Sequence, residues 1–319
     1  MTAVSRTMRA PVSARPAAAS LDVGLLCAVT AAAMFGSSGP FAKALLATGW
    51  TPGAVVLARI GVAGLILLGP AWYAVRGDLR ALRAQLPLVA AFGALAVAGA
   101  QVGYFNAVAR MPIGVALLLE YLGIVLVVAW VWLRSGRRPG ATTILGIVLA
   151  LGGLVLVLDV VGGLRVDAVG VAWGLFAATG LAAYYVLIAS SAGRLPPVAL
   201  ASFGMVGGAA ILLALGLVGA VPLSVAGSDV AIGGVALPWW GAIGELAIVA
   251  AAAAYVLGTI GARRLGSTVA SFVGLTEVLF AVLLAWLLLG ELPGSAQLLG
   301  GALILGGVAA VRLGAARGS

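Results

Sequence analysis

Four ionisable side chains lie inside long apolar stretches of the sequence: Arg59, Glu120, Glu245 and Glu277. A charge at the centre of a membrane helix costs about 2.5–3.5 kcal/mol, so each should face protein or water rather than lipid. A carboxylate can bind an amino group or a coupling proton, and a guanidinium can hold a carboxylate through two hydrogen bonds. The same residues can also form an ion pair that only locks helices together, and both interpretations stay open.

Uncharged polar residues in the same stretches form a second group of candidates. Gln101 and Tyr104 are three positions apart and share one face of a helix, Tyr184 lies deep in its stretch, and Thr276 adjoins Glu277. Gln101 is also compatible with a purely structural role, because an amide in hydrocarbon seeks a partner on a neighbouring helix. Together with the four charged residues, these side chains form the predicted substrate and coupling-ion cavity.

Small residues around a proline form the candidate gate. The segment reads Gly36-Ser37-Ser38-Gly39-Pro40. Pro40 frees a backbone carbonyl inside a helix, while Gly36 and Gly39 let the helix bend or a neighbour approach. The segment therefore predicts either a gate or a packing kink.

The overall composition points to lipid as the main solvent. Hydrophobic residues make up 63% of the 319 positions and charged residues 8%, against roughly 45–50% and about 25% in soluble domains. The apolar runs are continuous rather than alternating, which favours helices over the strands of a membrane barrel. The predicted fold class is an all-α integral membrane protein.

Ten apolar segments position the candidates, and each approaches the roughly 20 residues that span a bilayer. They lie near 22–45, 53–75, 86–109, 112–133, 141–160, 168–190, 196–219, 238–261, 267–289 and 294–312. Residues 1–20 predict a disordered cytoplasmic tail, with an organellar transit peptide as the alternative. Residues 314–319 predict a second cytoplasmic tail. Trp50, Trp72, Trp239 and Trp240 fall at segment ends and predict interface anchors.

The distribution of basic residues predicts the orientation. With the N-terminus inside, fourteen arginines collect on the inner side: Arg6, Arg9, Arg15, Arg76, Arg80, Arg83, Arg134, Arg137, Arg138, Arg194, Arg263, Arg264, Arg312 and Arg317. Three basic residues lie outside, namely Lys43, Arg110 and Arg165. The positive-inside rule therefore predicts that both termini are cytoplasmic.

The sequence repeats itself internally. Shifted by 154 residues, the block 115–154 lies on 269–308 without a gap, and a Trp, a Pro-Gly loop and several glycines coincide. A shift of 145 instead aligns Pro52 with Pro197 and Leu67 with Leu212. Residues 21–161 and 162–313 are thus predicted to be two five-helix repeats. Because five is odd, the second repeat must enter the membrane from the opposite side, as in many secondary transporters.

Several functional classes are disfavoured by the residues that the chain lacks. It has no histidine and one cysteine, Cys27, so neither a histidine metal site nor a cysteine-histidine catalytic pair is available. No catalytic residue, metal or cofactor is predicted. The net charge of +9 is spread between apolar runs as a topology signal, which argues against a nucleic-acid partner. No phosphate-binding Gly-x-x-x-x-Gly-Lys-Ser/Thr loop occurs.

Six short motifs follow one another along the chain: Gly36-Ser37-Ser38-Gly39-Pro40-Phe41-Ala42-Lys43, Leu57-Ala58-Arg59, Leu118-Leu119-Glu120-Tyr121-Leu122-Gly123, Thr276-Glu277-Val278-Leu279, Leu289-Gly290-Glu291-Leu292 and Leu298-Leu299-Gly300. Their order resembles the EamA type of the drug/metabolite transporter superfamily. The resemblance implies ten spans, alternating access without ATP, and export of amino acids or related metabolites across the bacterial inner membrane. It implies partners that are small molecules and membrane lipid, as a monomer or a homodimer.

Other functions remain as alternatives. A multidrug or nucleotide-sugar carrier of the same superfamily is the second transport interpretation, although a phosphate-bearing substrate should need more cations at cavity depth than Arg59. An integral-membrane enzyme is disfavoured because no catalytic constellation is found. A channel would usually show a selectivity filter, and nothing in the sequence identifies one.

Overall fold

The computed structural model of the chain describes residues 17–76, 79–110, 113–157, 167–289 and 294–317. In these residues the protein is almost entirely helical, and eight helical segments are long and apolar enough to cross a membrane. The prediction of an integral membrane protein made of helices is therefore confirmed. The count of ten spans is not confirmed and stays a prediction.

The described residues form fourteen helices, two π-helical stretches and one short hairpin. In the first half these are α1 (Ala17–Ala47), α2 (Pro52–Val75), α3 (Leu79–Ala84), α4 (Leu86–Ala91), a π-helical stretch (Phe92–Gly99), α5 (Ala100–Val108), α6 (Ile113–Tyr121), α7 (Gly123–Ser135) and α8 (Ala141–Val157). In the second half they are α9 (Ala168–Ser190), α10 (Pro197–Leu217), β1 (Val230–Ile232), β2 (Val235–Leu237), α11 (Trp239–Ala247), a π-helical stretch (Ile248–Ala253), α12 (Ala254–Gly274), α13 (Thr276–Leu289) and α14 (Ser295–Arg317).

The first and last helices extend into the stretches predicted to be tails. Helix α1 begins at Ala17 and α14 ends at Arg317, so residues 17–20 and 314–317 are helical. Residues 1–16 and 318–319 lie outside the described part of the chain. The end of the bundle at which α1 begins is called the inner end, and the opposite end is called the outer end.

The helix ends are explained by local chemistry. Asp167 precedes α9, and its side chain accepts a hydrogen bond from the Gly170 amide at 2.9 Å, which satisfies one of the free amides at a helix start. Pro52 and Pro197 begin α2 and α10, where the missing amide hydrogen costs nothing. Gly136 ends α7 with a φ of 69°, a conformation that glycine adopts without strain.

Helix irregularities recur at equivalent places in the two repeats. Both π-helical stretches end at repeat-equivalent residues, Gly99 and Ala253, which are 154 positions apart. The turn at Leu122 separates α6 from α7, and Leu275 separates α12 from α13, again within one residue of the same offset. Helix α12 also breaks at Gly266, whose φ is 78°. The two halves therefore share the positions of their π-helical stretches and of one helix break, in addition to their sequence pattern.

Helices α8 and α14 pack through glycines in a reciprocal pattern. A Cβ built on Gly153 would lie 2.5 Å from the Gly300 carbonyl oxygen, and one built on Gly307 would lie 2.8 Å from the Gly146 carbonyl oxygen. Gly146 and Gly300 are 154 positions apart, as are Gly153 and Gly307. The two helices are thus antiparallel, and each contact is matched by its repeat equivalent. Small residues allow this close approach of backbones in a lipid environment.

The long connection between α10 and α11 folds over the outer end of α1 and α2. Its strands pair antiparallel, with Ile232 opposite Val235, through a turn with positive φ at Gly233 and Gly234, as hairpin turns require. The Trp50 indole donates a hydrogen bond to the Ala226 carbonyl oxygen at 2.7 Å. Trp50, predicted to be an interface anchor, is therefore buried beneath this loop, with 6% of its surface exposed.

Candidate functional site

A cavity of about 160 Å³ lies in the middle of the bundle and extends toward the outer end. It is lined by residues from α1, α2, the first π-helical stretch, α5, α6, α9, α12 and α13. These residues are Phe35, Gly36, Ser38, Gly39, Arg59, Ala96, Ala100, Gln101, Tyr104, Phe105, Leu117, Glu120, Leu181, Tyr184, Tyr185, Tyr255, Glu277, Val278 and Ala281. Both repeats therefore contribute to one site.

Arg59 is the buried cation of the cavity wall, with 5% of its surface exposed. Its Nη2 donates a hydrogen bond to the Ala250 carbonyl oxygen at 2.5 Å. Ala250 belongs to the second π-helical stretch, where the altered hydrogen-bond register leaves carbonyl groups available to other donors. The Arg59 Nε has no hydrogen-bond partner in the part of the chain that the structure describes. One edge of the guanidinium is thus fixed to the protein, while a buried donor remains for a ligand.

Two carboxyl groups reach the cavity, one from a residue just before a helix break and one from a residue just after another helix break. Glu120 lies two residues before the break at Leu122, and Glu277 lies two residues after the break at Leu275. The Tyr121 hydroxyl lies beside the Glu277 carboxyl group and can donate a hydrogen bond to it. Among the described residues, the cavity therefore brings one guanidinium together with two carboxyl groups.

Gln101 and Tyr255 meet across the centre of the bundle. The Gln101 Nε2 donates a hydrogen bond to the Tyr255 hydroxyl at 3.1 Å, and no described residue pairs with the Gln101 Oε1. The two residues are 154 positions apart, so they are equivalents in the two repeats. A residue that contacts its own equivalent lies on the axis that relates the repeats.

Aromatic rings form the floor of the cavity toward the inner end. The centroid of the Tyr184 ring lies 5.0 Å from that of Tyr185, 5.4 Å from Tyr255, 6.0 Å from Phe92 and 6.5 Å from Phe35. Three of these four contacts are edge-to-face, an arrangement in which aromatic rings attract one another. The floor is therefore an interlocked set of rings rather than a water-filled opening.

Three predicted residues are not part of the cavity wall. The Ser37 hydroxyl donates a hydrogen bond of 2.5 Å to a Glu245 carboxylate oxygen, while the other oxygen of Glu245 is buried with no partner among the residues that the structure describes. The Thr276 hydroxyl is buried and donates to the Val273 carbonyl oxygen at 2.7 Å. Pro40 lies within α1, next to the lining residue Gly39. The roles predicted for these three residues stay predictions.

The site also contains residues that were not among the predicted cavity residues. Phe35 and Tyr255 line the cavity, and Tyr121 lies beside Glu277. The position of Tyr255 could have been found from the sequence, because the 154-residue shift places it on Gln101. Tyr121 falls in the same motif as Glu120, whereas Phe35 carries no comparable signal, since an aromatic residue in an apolar run is ordinary core material.

Comparison with known proteins gives two findings. The sequence model of the EamA-like transporter family matches the chain twice, over residues 22–159 and 168–313. A solved crystal structure of another protein superposes with a TM-score of 0.69 and 23% sequence identity, covering 93% of this chain and 97% of that one, which is a likeness of fold. The comparison with curated proteins gave no match.

Proposed function

The chain belongs to the EamA-like transporter family, and on that basis we propose that it exports amino acids or related small polar metabolites by alternating access. The family makes it a membrane transporter of the drug/metabolite superfamily. The observation that carries the proposal on the substrate is the combination of Arg59, Glu120 and Glu277 around one cavity. A zwitterion presents the complementary pair of charges.

The chemistry of the cavity suits the two ends of an amino acid. The free donor of Arg59 can bind a carboxylate, and charge-assisted hydrogen bonds are about twice as strong as neutral ones. Glu120 or Glu277 can bind the amino group, and the remaining carboxyl group can carry a coupling proton. The cavity volume is about 160 Å³. That volume matches a single small solute.

The packing of α8 on α14 supports the inverted arrangement of the two repeats. These helices are repeat equivalents, and their matched glycine contacts make them antiparallel. A two-fold operation that exchanges two antiparallel helices reverses the helix direction, so its axis is perpendicular to the helices. If the helices cross the membrane, the axis lies in the membrane plane and the repeats are inverted. Ten spans result when Ala141–Val157 counts as a span and Gly266 divides the long α11–α12 segment.

The placement of basic residues supports an inner-membrane location with both termini in the cytoplasm. Arg134, Arg137 and Arg138 cluster at the same end of the predicted topology as Arg263 and Arg264. Under the positive-inside rule that end is cytoplasmic. The inner end of the bundle then faces the cytoplasm, and the cavity faces the periplasm.

A multidrug carrier is the second candidate, and the aromatic wall favours it. Phe35, Tyr104, Tyr184 and Tyr255 line the cavity, and aromatic faces attract organic cations. A nucleotide sugar fits less well, because Arg59 is the one cation among the described residues that line the cavity.

A growth and efflux screen separates these candidates. Cells expressing the protein would be challenged with toxic amino acids, dipeptides and cationic dyes. We expect protection and efflux for amino-acid analogues, lost in Arg59→Gln and retained in Arg110→Gln, whose arginine is exposed outside the cavity. Protection against dyes alone would favour the multidrug function, and protection against none of the three classes would contradict the proposal.

A further inference from the structure

A second chamber lies on the inner side of the cavity floor. Its volume is about 20 Å³, which is room for a single water molecule. Its walls are small residues: Ala28, Ala31 and Ala32 of α1 face Gly258 and Ala270 of α12. The chamber thus lies between two helices that approach closely toward the inner end of the bundle, where Gly261 packs against Ala28.

Four residues border both the cavity and the chamber: Phe35, Tyr184, Tyr185 and Glu277. They form the partition between the two spaces. Tyr184 is the centre of this partition, because its ring contacts those of Phe35 and Tyr185 as well as those of Phe92 and Tyr255. A side chain that leaves this position would join the two spaces.

Ring packing holds Tyr184 in place. Its hydroxyl is buried with no hydrogen-bond partner among the described residues and lies against Gly258, where any side chain would collide with it. An unpaired buried hydroxyl costs free energy that hydration or a polar ligand can recover. The observed position of Tyr184 is therefore favourable for its ring and unfavourable for its hydroxyl. Such opposing contributions are expected of a side chain that changes position between conformations.

The repeat equivalent of Tyr184 has no side chain. The 145-residue shift that aligns Pro52 with Pro197 also aligns Asp22 with Asp167 across the first span of each repeat. The same shift places Tyr184 on Gly39, which is exposed and has no described atom within 4 Å of the place where a Cβ would stand. Of these two equivalent positions, the one toward the inner end of the bundle is filled by a phenol ring, whereas the one toward the outer end carries no side chain.

From these observations we propose that Tyr184 is the inner gate of the transport pathway. Its ring separates the cavity from the chamber, and the chamber is the inner half of the route that a small polar solute takes. The empty position at Gly39 leaves the outer route open in this conformation. The identity of the solute rests on the proposed function. The gate itself controls access from the cavity to the chamber, and this access can be measured without a substrate.

Thiol labelling in proteoliposomes tests the gate directly. In a Cys27→Ala background, single reporter cysteines would replace Ala31 or Ala270 on opposite walls of the chamber, and Ser38 in the cavity. A membrane-impermeant thiol reagent would be added to each side of the membrane separately. We expect Tyr184→Ala to raise the labelling rate of both chamber reporters from the side that labels position 38, by about tenfold or more, because a single edge-to-face ring contact is already worth up to about tenfold.

Tyr184→Phe is the matched control, because it keeps the ring and removes only the hydroxyl. We expect it to leave chamber labelling near the parent rate, and position 38 to label equally in every variant. If Tyr184→Ala does not raise chamber labelling while position 38 labels normally, the gate is refuted. Equally fast labelling in Tyr184→Phe would also refute the ring as the barrier. Because labelling needs no transport, failure of the substrate screen would leave this result unaffected.

Discussion

The reciprocal packing of α8 on α14 makes a prediction that needs no substrate. Gly153 faces the partner helix, and a methyl group there would lie 2.5 Å from the Gly300 carbonyl oxygen and 2.9 Å from the Ile304 amide nitrogen. Ordinary contacts lie at about 3.5 Å, so the helices would have to separate by about 1 Å. Overpacking of this kind costs about 1–3 kcal/mol in free energy of unfolding.

The chain supplies a matched control one residue away. Gly152 is exposed and has nothing within 4 Å of an added Cβ, so Gly152→Ala makes the same chemical change without the collision. The second repeat offers the same pair. A Cβ on Gly307 would lie 2.8 Å from the Gly146 carbonyl oxygen, whereas one on Gly306 would meet only the Leu149 side chain at 3.9 Å.

Thermal stability in mild detergent is the measurement. Heated samples would be separated by size exclusion, and the midpoint would be taken from loss of the monodisperse peak. We expect Gly153→Ala and Gly307→Ala to lower the midpoint by a few degrees, with similar shifts because their contacts are equivalent. We expect no loss in Gly152→Ala or Gly306→Ala. Equal midpoints for Gly153→Ala and Gly152→Ala would refute the close packing of these helices.

Three further predictions concern the cavity. Arg59→Lys should lose most substrate efflux, as we expect for Arg59→Gln. An ammonium group lacks the planar fork with which a guanidinium can bind the Ala250 carbonyl and a carboxylate at the same time. Efflux at the parental rate in Arg59→Lys would contradict this role. Glu120→Gln or Glu277→Gln should abolish the dependence of efflux on external pH, and unchanged rates and pH profiles in both would exclude coupling through these acids. Gly36→Ala should lower thermal stability, since its Cβ would lie 2.8 Å from the Glu277 carbonyl oxygen, while Gly39→Ala should not; equal midpoints would contradict the contact between α1 and α13.

The sequence predicted the helical membrane class and the positions of most helices, because both depend on local composition. Continuous apolar runs can satisfy their backbone only as helices, and Pro52, Pro197 and Gly136 mark helix ends through their own backbone chemistry. The backbone irregularities were not predictable in the same way. Neither the π-helical stretches nor the break at Leu122 carries a proline, and their hydrogen-bond registers depend on neighbouring helices.

The cavity was predictable in part for a related reason. Charged residues in apolar runs must face protein or water, and this argument selected Arg59, Glu120 and Glu277, all of which line the cavity. It selected Glu245 equally, although that carboxylate pairs with Ser37 outside the wall. The position of a residue within an apolar run shows how deep it lies in the membrane. Whether its side chain faces the cavity depends on how the neighbouring helices pack. Phe35 was missed because an aromatic side chain, unlike a charged one, has no free-energy cost deep in an apolar run that would mark it as unusual.

The repeat relation explains why the chemistry of the site differs between the two halves while the packing does not. Where equivalent helices meet, as at Gly153 and Gly300, both repeats keep glycine because the same contact is made twice. In the cavity the repeats diverge, and the equivalents of four functional residues are glycines: Arg59 matches Gly204, Glu120 matches Gly274, Glu277 matches Gly123 and Tyr184 matches Gly39. A strictly two-fold site would present each charged group twice and could not distinguish the two ends of a zwitterion. A duplicated bundle can therefore bind an asymmetric solute where equivalent positions differ, either because one copy carries a side chain and the other is glycine, or because the two side chains differ, as at Gln101 and Tyr255.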